Sequence, residues 1–139
     1  MKKPDVFVSF SIYDHEKQKD QFIHEPGPYA GLFNVLGWSQ PEGADYFRDV
    51  NIVKNCNILI ALVGRNTYMP GNVVTEVRMA NGNNVPVFGV YLFGVGSPTP
   101  PPAGLHKSRM LSWLEAPDRV ERMVALCLRE GKNLQGWEG

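Results

Sequence analysis

The sequence predicts an α/β protein with a mostly parallel five-stranded sheet, and three observations carry that expectation. Short runs rich in β-branched and aromatic residues alternate with stretches whose apolar residues recur at helical spacing. One of the runs, residues 57–63, is continuously apolar after its first residue and ends at Gly64, as expected of a strand covered on both faces. Strands and helices of these lengths in alternation imply right-handed crossovers, with helices on both faces of the sheet.

Taken in order, Val6, Phe7, Val8, Ser9, Phe10 and Ser11 form the first strand. Tyr13 to about Ile23 is mostly charged and amide, with Asp14 placed to cap it, and reads as an exposed helix ending near Glu25 to Pro28. Residues 31–36 are expected to make a short second strand, and Tyr46, Phe47, Val50 and Val53 then recur at helical spacing between Pro41 and Asn55. The run 57–63 is the central strand. After a loop over 64–71, Val73, Val77 and Ala80 share one helical face, which leaves Thr75, Glu76 and Arg78 to point elsewhere; the helix stops around Gly82. Residues 85–93 form another buried strand, with Pro86 near its start, where a missing N–H is tolerated. The proline-rich segment 94–104 is a loop, 110–113 a short last strand, and 117–130 a final helix packing Val120, Met123, Val124 and Cys127. Gly131 closes it, and the tail 131–139 is expected to fray. The expected topology is a flavodoxin-like three-layer sandwich, strand order 2-1-3-4-5, in one domain spanning residues 1–139.

Composition narrows the function classes. A chain of 139 residues can bury one sizeable core without disulfides or metals. Lysine plus arginine and aspartate plus glutamate both number 14, so no net field draws the molecule to nucleic acid or to an anionic membrane. A phosphate-bearing ligand therefore has to be held by a local pocket. Cys56 and Cys127 lie far apart in apolar stretches, which fits reduced, buried thiols and a cytoplasmic setting. The opening residues run directly into a strand pattern without the apolar segment of a signal peptide, and no stretch is apolar enough to span a bilayer.

In an open sheet of this order, ligands bind beyond the carboxyl ends of the strands where the winding direction reverses. That rule nominates Phe10, Ser11, Tyr13 and Asp14 after the first strand, with Gly64, Arg65, Asn66 and Thr67 after the central one. The chain has no P-loop, H-E-x-x-H, C-x-x-C or G-x-S-x-G, which disfavours metal and triad chemistry. His15, His24 and His106 are isolated from one another and read as surface residues, and Gly94-Val95-Gly96 lacks the third glycine of a dinucleotide fingerprint. Glu76 is the carboxylate whose place suggests chemistry, about one turn into a helix that opens toward the predicted crevice. Taken alone, such a residue equally fits a solvated or capping glutamate, Asp14 a helix cap and Arg65 a loop cation. Phe10, Tyr13, Trp38 and Tyr68 could stack on a purine or pyridine ring, or simply pack at the core and its rim.

The run Val6 to Ser11 followed by Tyr13-Asp14 resembles the opening strand of TIR-like domains. Ile58 to Thr67, with Gly64 and Thr67, is similar to their strand and GxxT turn. Val73-Val74-Thr75-Glu76-Val77, then Gly82 to Tyr91, resembles their catalytic-glutamate helix and next strand. The resemblance covers about residues 4–93, with 25–50 matching in outline, and is nearest to the TIR-like sensor proteins of the Thoeris anti-phage defence system. One position departs from the family: the tryptophan commonly found four residues before the glutamate is replaced by Asn72, after Pro70-Gly71, so that either the helix begins later or a packing aromatic has moved.

The resemblance implies an NAD glycohydrolase or ADP-ribosyl cyclase that releases nicotinamide and forms ADP-ribose or a cyclic ADP-ribose signal. Glu76 would be catalytic. Backbone amides at Ser11 and at the turn from Gly64 to Thr67, with Arg65, would hold the pyrophosphate. NAD would be a substrate, with no resident cofactor and no metal. Homo-oligomers and a separate effector reached through a diffusible nucleotide would be the partners. The alternatives are a nucleoside deoxyribosyltransferase, in which the glutamate attacks the anomeric carbon, and a TIR-like adaptor that only binds a partner.

Overall fold

A computed structural model of the chain describes residues 3–11, 31–40, 46–69, 71–92, 95, 99–112 and 117–130. The expected first helix over 13–23 and the tail 131–139 lie outside them. Strand β1 is Asp5–Phe10, β2 Asn34–Trp38, β3 Ile58–Val63, β4 Val87–Tyr91 and β5 Met110–Leu111. Helix α1 is Tyr46–Val53, α2 Asn72–Gly82 and α3 Pro117–Glu130, and one 3-10 turn, Lys107–Arg109, leads into β5.

The strands form one sheet in the order β2-β1-β3-β4-β5, and every neighbouring pair is parallel. This is the flavodoxin-like three-layer α/β arrangement. β3, central and apolar at all six positions, is buried throughout, because each face of a parallel sheet is covered by crossover helices.

Side-chain alternation along the strands divides the core in two. Val6, Val8 and Phe10 of β1 join Ile58, Ile60, Leu62, Phe88 and Val90 against Val120, Met123, Val124 and Cys127 of α3. Phe7 joins Leu59, Ala61, Val63, Val87 and Tyr91 against Val53 of α1 and Val73, Val77 and Ala80 of α2. Close approach needs glycine at one point: a Cβ on Gly89 of β4 would stand 2.5 Å from Met110 Sδ and 2.8 Å from Leu105 Cδ2. The bare backbone there lets Leu105 and the start of β5 press onto the sheet.

The limits of three strands differ from those the pattern suggests. β2 starts at Asn34 instead of residue 31, because Gly31 turns the chain at φ +88 and pairing with β1 opens only where the Asn34 N–H donates to Pro4 O, at 2.9 Å. β4 is shorter than 85–93; Pro86 lies just before it, contributing its carbonyl to the Leu59 N–H at 3.0 Å while needing no acceptor itself. β5 pairs at two residues alone. The central strand, the second helix and the last helix run close to where periodicity puts them. No helix among the described residues is long and apolar enough to cross a membrane.

Candidate functional site

The row Phe7, Ser9 along β1 faces α1 and α2, so Ser9 places a hydroxyl among the apolar side chains of that core. On the helix opposite, the buried positions Val73, Glu76, Val77 and Ala80 are spaced i, i+3, i+4, i+7. Glu76 therefore belongs to the inward stripe. The expectation that it points elsewhere is corrected by the same 3.6-residue period that put Val73, Val77 and Ala80 inside, since a residue three past Val73 lies directly above it. Thr75 is half-buried and Arg78 exposed.

Glu76 is fully buried. Its Oε1 accepts hydrogen bonds from Ser9 Oγ at 2.7 Å and Ser39 Oγ at 2.6 Å, with Asn72 Nδ2 more distant at 3.4 Å. Its Oε2 is buried and has no hydrogen-bond partner among the described residues. Ser39, just past β2, also accepts the Phe10 N–H at 3.0 Å, while Asn72 Nδ2 donates to Phe10 O at 2.8 Å. The two backbone groups at the carboxyl end of β1 are thus tied to the two elements that flank Glu76. α2 begins at Asn72 itself, with Gly71 as its cap, so the helix does not start later; the Asn72 side-chain amide is a strut between strand and helix.

Burial pushes the Glu76 carboxyl up to about 7, against the lowering effect of the Ser39, Ser9 and Asn72 hydrogen bonds and with some help from the negative charge of Asp49. Asp49, in the first turn of α1, is itself buried and meets Arg48 Nε at 2.8 Å. Near neutral pH the carboxyl can therefore both hold and release a proton, the property wanted of an acid or base.

The remaining predicted residues spread around this centre. Phe10 ends β1, and its ring packs in the α3-side core, away from Glu76; its contribution to the site is backbone. Ser11 is half-buried just past the strand, while Tyr13 and Asp14 lie outside the described residues. In the turn after β3, the Gly64 N–H donates to Thr67 Oγ1 at 2.8 Å and the Thr67 N–H returns to Gly64 O at 3.4 Å. Those amides are used inside the turn, so the exposed pair Arg65 and Asn66 is what it offers to a ligand. Of the aromatic candidates, Trp38 packs against the α3-side core and Tyr68 is exposed. The chain matches no family model and no curated protein.

Other features lie apart from the carboxyl. His106 accepts the Ser108 N–H at 3.0 Å and caps the 3-10 turn. Cys56 and Cys127 are free and buried, with thiols pushed up to about 12 and about 11 by desolvation. A groove of about 540 Å³ lined by Leu111, Arg119, Arg122 and Met123 lies beside α3, on the opposite side of the sheet. No group of three or more His, Cys, Asp or Glu side chains among the described residues is placed to hold a metal ion.

Sequence reasoning missed Ser9, Ser39 and Asp49 as members of the site. Ser9 did leave a signal, as the one polar position inside β1 between Val8 and Phe10. Ser39 and Asp49 left none, since a serine after a strand and an aspartate in a helix's first turn are ordinary.

Proposed function

We propose that the chain is a TIR-like NAD-cleaving enzyme in which Glu76 is the catalytic carboxylate. The observation that supports this reading is Glu76 Oε2, a buried oxygen without a hydrogen-bond partner among the described residues, at the carboxyl edge of β1 beside the point where the strand order reverses. A buried, unpartnered oxygen on a group whose ionisation burial opposes is unfavourable for folding, and such groups are retained where chemistry uses them.

In this mechanism the bond between the nicotinamide nitrogen and the anomeric ribose carbon breaks, and its electron pair leaves with nicotinamide, which departs neutral. The ionised Glu76 carboxyl stabilises the oxocarbenium-like centre left behind. Attack by water gives ADP-ribose; attack from the adenosine half gives a cyclic isomer. Arg65 and the exposed rim of the turn after β3 hold the pyrophosphate. Because Glu76 is fully buried, ribose entry and uncovering of the carboxyl have to occur together. Assembly into oligomers and signalling to a separate effector, in anti-phage defence, belong to the same reading.

The burial of Glu76 also favours a second reading, a binding module in which the carboxyl only fastens β1, the end of β2 and α2 together. Purified protein incubated with NAD, with products analysed by mass spectrometry, separates the two when Glu76→Gln is run beside wild type. The catalytic reading expects nicotinamide release by wild type and a loss of about a hundredfold or more in the variant, about 2.7 kcal/mol, with folding intact. Its kcat/KM should rise with pH through about 7 as Glu76 ionises. Undiminished cleavage by a folded Glu76→Gln variant would remove the catalytic role and put the binding module ahead.

A further inference from the structure

We propose that Ser9 and Ser39 are positioning residues that fix which oxygen of Glu76 works on the substrate: their hydroxyls hold Oε1, and Oε2 is presented to the reacting ribose. The inference deepens the NAD-cleaving reading and rests on it for the identity of the ligand.

A carboxylate can accept on two oxygens with about four lone-pair directions, yet every donor among the described residues meets the same one. Ser9 reaches Oε1 at 2.7 Å from β1 and Ser39 at 2.6 Å from the end of β2, while Oε2 has no partner among the described residues. The terminal torsion of a glutamate is otherwise broad. Two donors arriving from separate strands stop that rotation, and Asn72 at 3.4 Å stands on the same side. Ser39 has its direction set from behind, because the Phe10 N–H donates to its oxygen at 3.0 Å and leaves its single proton to point at Glu76. Asn72 anchors to the Phe10 carbonyl at 2.8 Å, so the end of β1 fixes both neighbours of the carboxyl.

The arrangement also decides where the proton goes. With Oε1 facing two O–H donors, a neutral Glu76 carries its proton on Oε2, and the site becomes active when that proton leaves. The groups reaching Glu76 from β1 and the end of β2 are uncharged hydroxyls, and from its own helix the Asn72 amide. From α1 comes the negative charge of Asp49, which Arg48 meets at 2.8 Å. The hydroxyl bonds favour the ionised form and oppose the effects of burial and of Asp49.

The test is an NMR titration of the Glu76 carboxyl carbon in wild type, Ser9→Ala and Ser39→Ala, together with pH profiles of kcat on NAD. Ser9→Ala is the cleaner variant, since removing Ser39 also takes away the acceptor of the Phe10 N–H. In each variant Glu76 should titrate about one pH unit higher, and kcat at pH 7 should fall about fivefold with KM little changed. The kcat profile should move by the same interval. Where an alanine variant does not fold, Ser9→Cys keeps a weak donor and should give a smaller shift of the same sign. An unmoved titration in folded Ser9→Ala or Ser9→Cys would overturn the proposal. A moved titration in protein that never cleaves NAD would uphold the orientation of the carboxyl and withdraw the NAD reading, so the two failures are distinguishable.

Discussion

The same strands build two different cores on the two faces of the sheet. On the α3 side, Val6, Val8 and Phe10 of β1 continue across Ile58, Ile60 and Leu62 to Phe88 and Val90, an apolar row without a break. The buried cation on that side, Arg109, has a counter-charge in Glu130 of α3 at 3.6 Å. On the α1 and α2 side, Ser9 interrupts the row, and the buried carboxyl opposite it has another acid, Asp49, as its charged neighbour. Hydrocarbon at positions 9 and 76 would have continued the apolar row on this side and would have avoided burying the Glu76 carboxyl. The difference teaches that the strands' α3-side row is packed with hydrocarbon, while the row on the α1 and α2 side gives up some stability to hold an acid among hydroxyls.

The comparison can be broken most directly on the apolar side. Phe88→Ala, deep in the α3-side core, should lower stability by about 3–5 kcal/mol in urea denaturation, more than any single polar change around Glu76. A smaller loss than that from Ser9→Ala would mean that the faces do not differ as described.

The next largest effect is pH dependence. The folded Glu76 carboxyl titrates at about 7, above its ordinary 4.5, so the stability linked to its proton is fully present below 4.5 and is lost as pH rises through about 7. Wild type should lose on the order of 3 kcal/mol across that window through this residue. Glu76→Gln should lack that component and should equal or exceed wild type in stability at pH 8, measured as the urea midpoint against pH. A variant less stable than wild type at pH 8 would mean that the carboxylate is a structural anchor.

Thr67→Val probes the rim. It removes the acceptor of the Gly64 N–H, a bond of 2.8 Å, and should lower stability by about 1–3 kcal/mol. The smallest effect is expected at Arg65, exposed in the same turn. Arg65→Ala should change stability by less than about 0.5 kcal/mol; under the proposed NAD-cleaving function it should also weaken NAD binding roughly tenfold, which calorimetry and KM would show together.

Much of this architecture was legible from local pattern. The last helix, 117–130, carries its own start signal in Pro117 and its own apolar stripe, and the central strand announces itself as an unbroken apolar run. β2 starts later than its own pattern suggests because where it pairs depends on Pro4 and Asp5, at the start of β1, and its own residues do not say where the ladder opens. Glu76 is nominated by its place in the winding order, whereas its membership of the inward stripe follows from the helical period it shares with Val73, Val77 and Ala80.

Sequence alone thus determined the order of elements and the existence of a carboxyl at the edge of β1, because periodicity and chain connectivity act over short separations. Tertiary structure decided the company that carboxyl keeps. Ser9 and Glu76 are 67 positions apart and Ser39 and Glu76 37 apart, on separate elements. Whether their hydroxyls meet Oε1 and leave Oε2 alone follows from strand register and from how α2 lies on the sheet, quantities set by packing over the whole core and written in no local pattern.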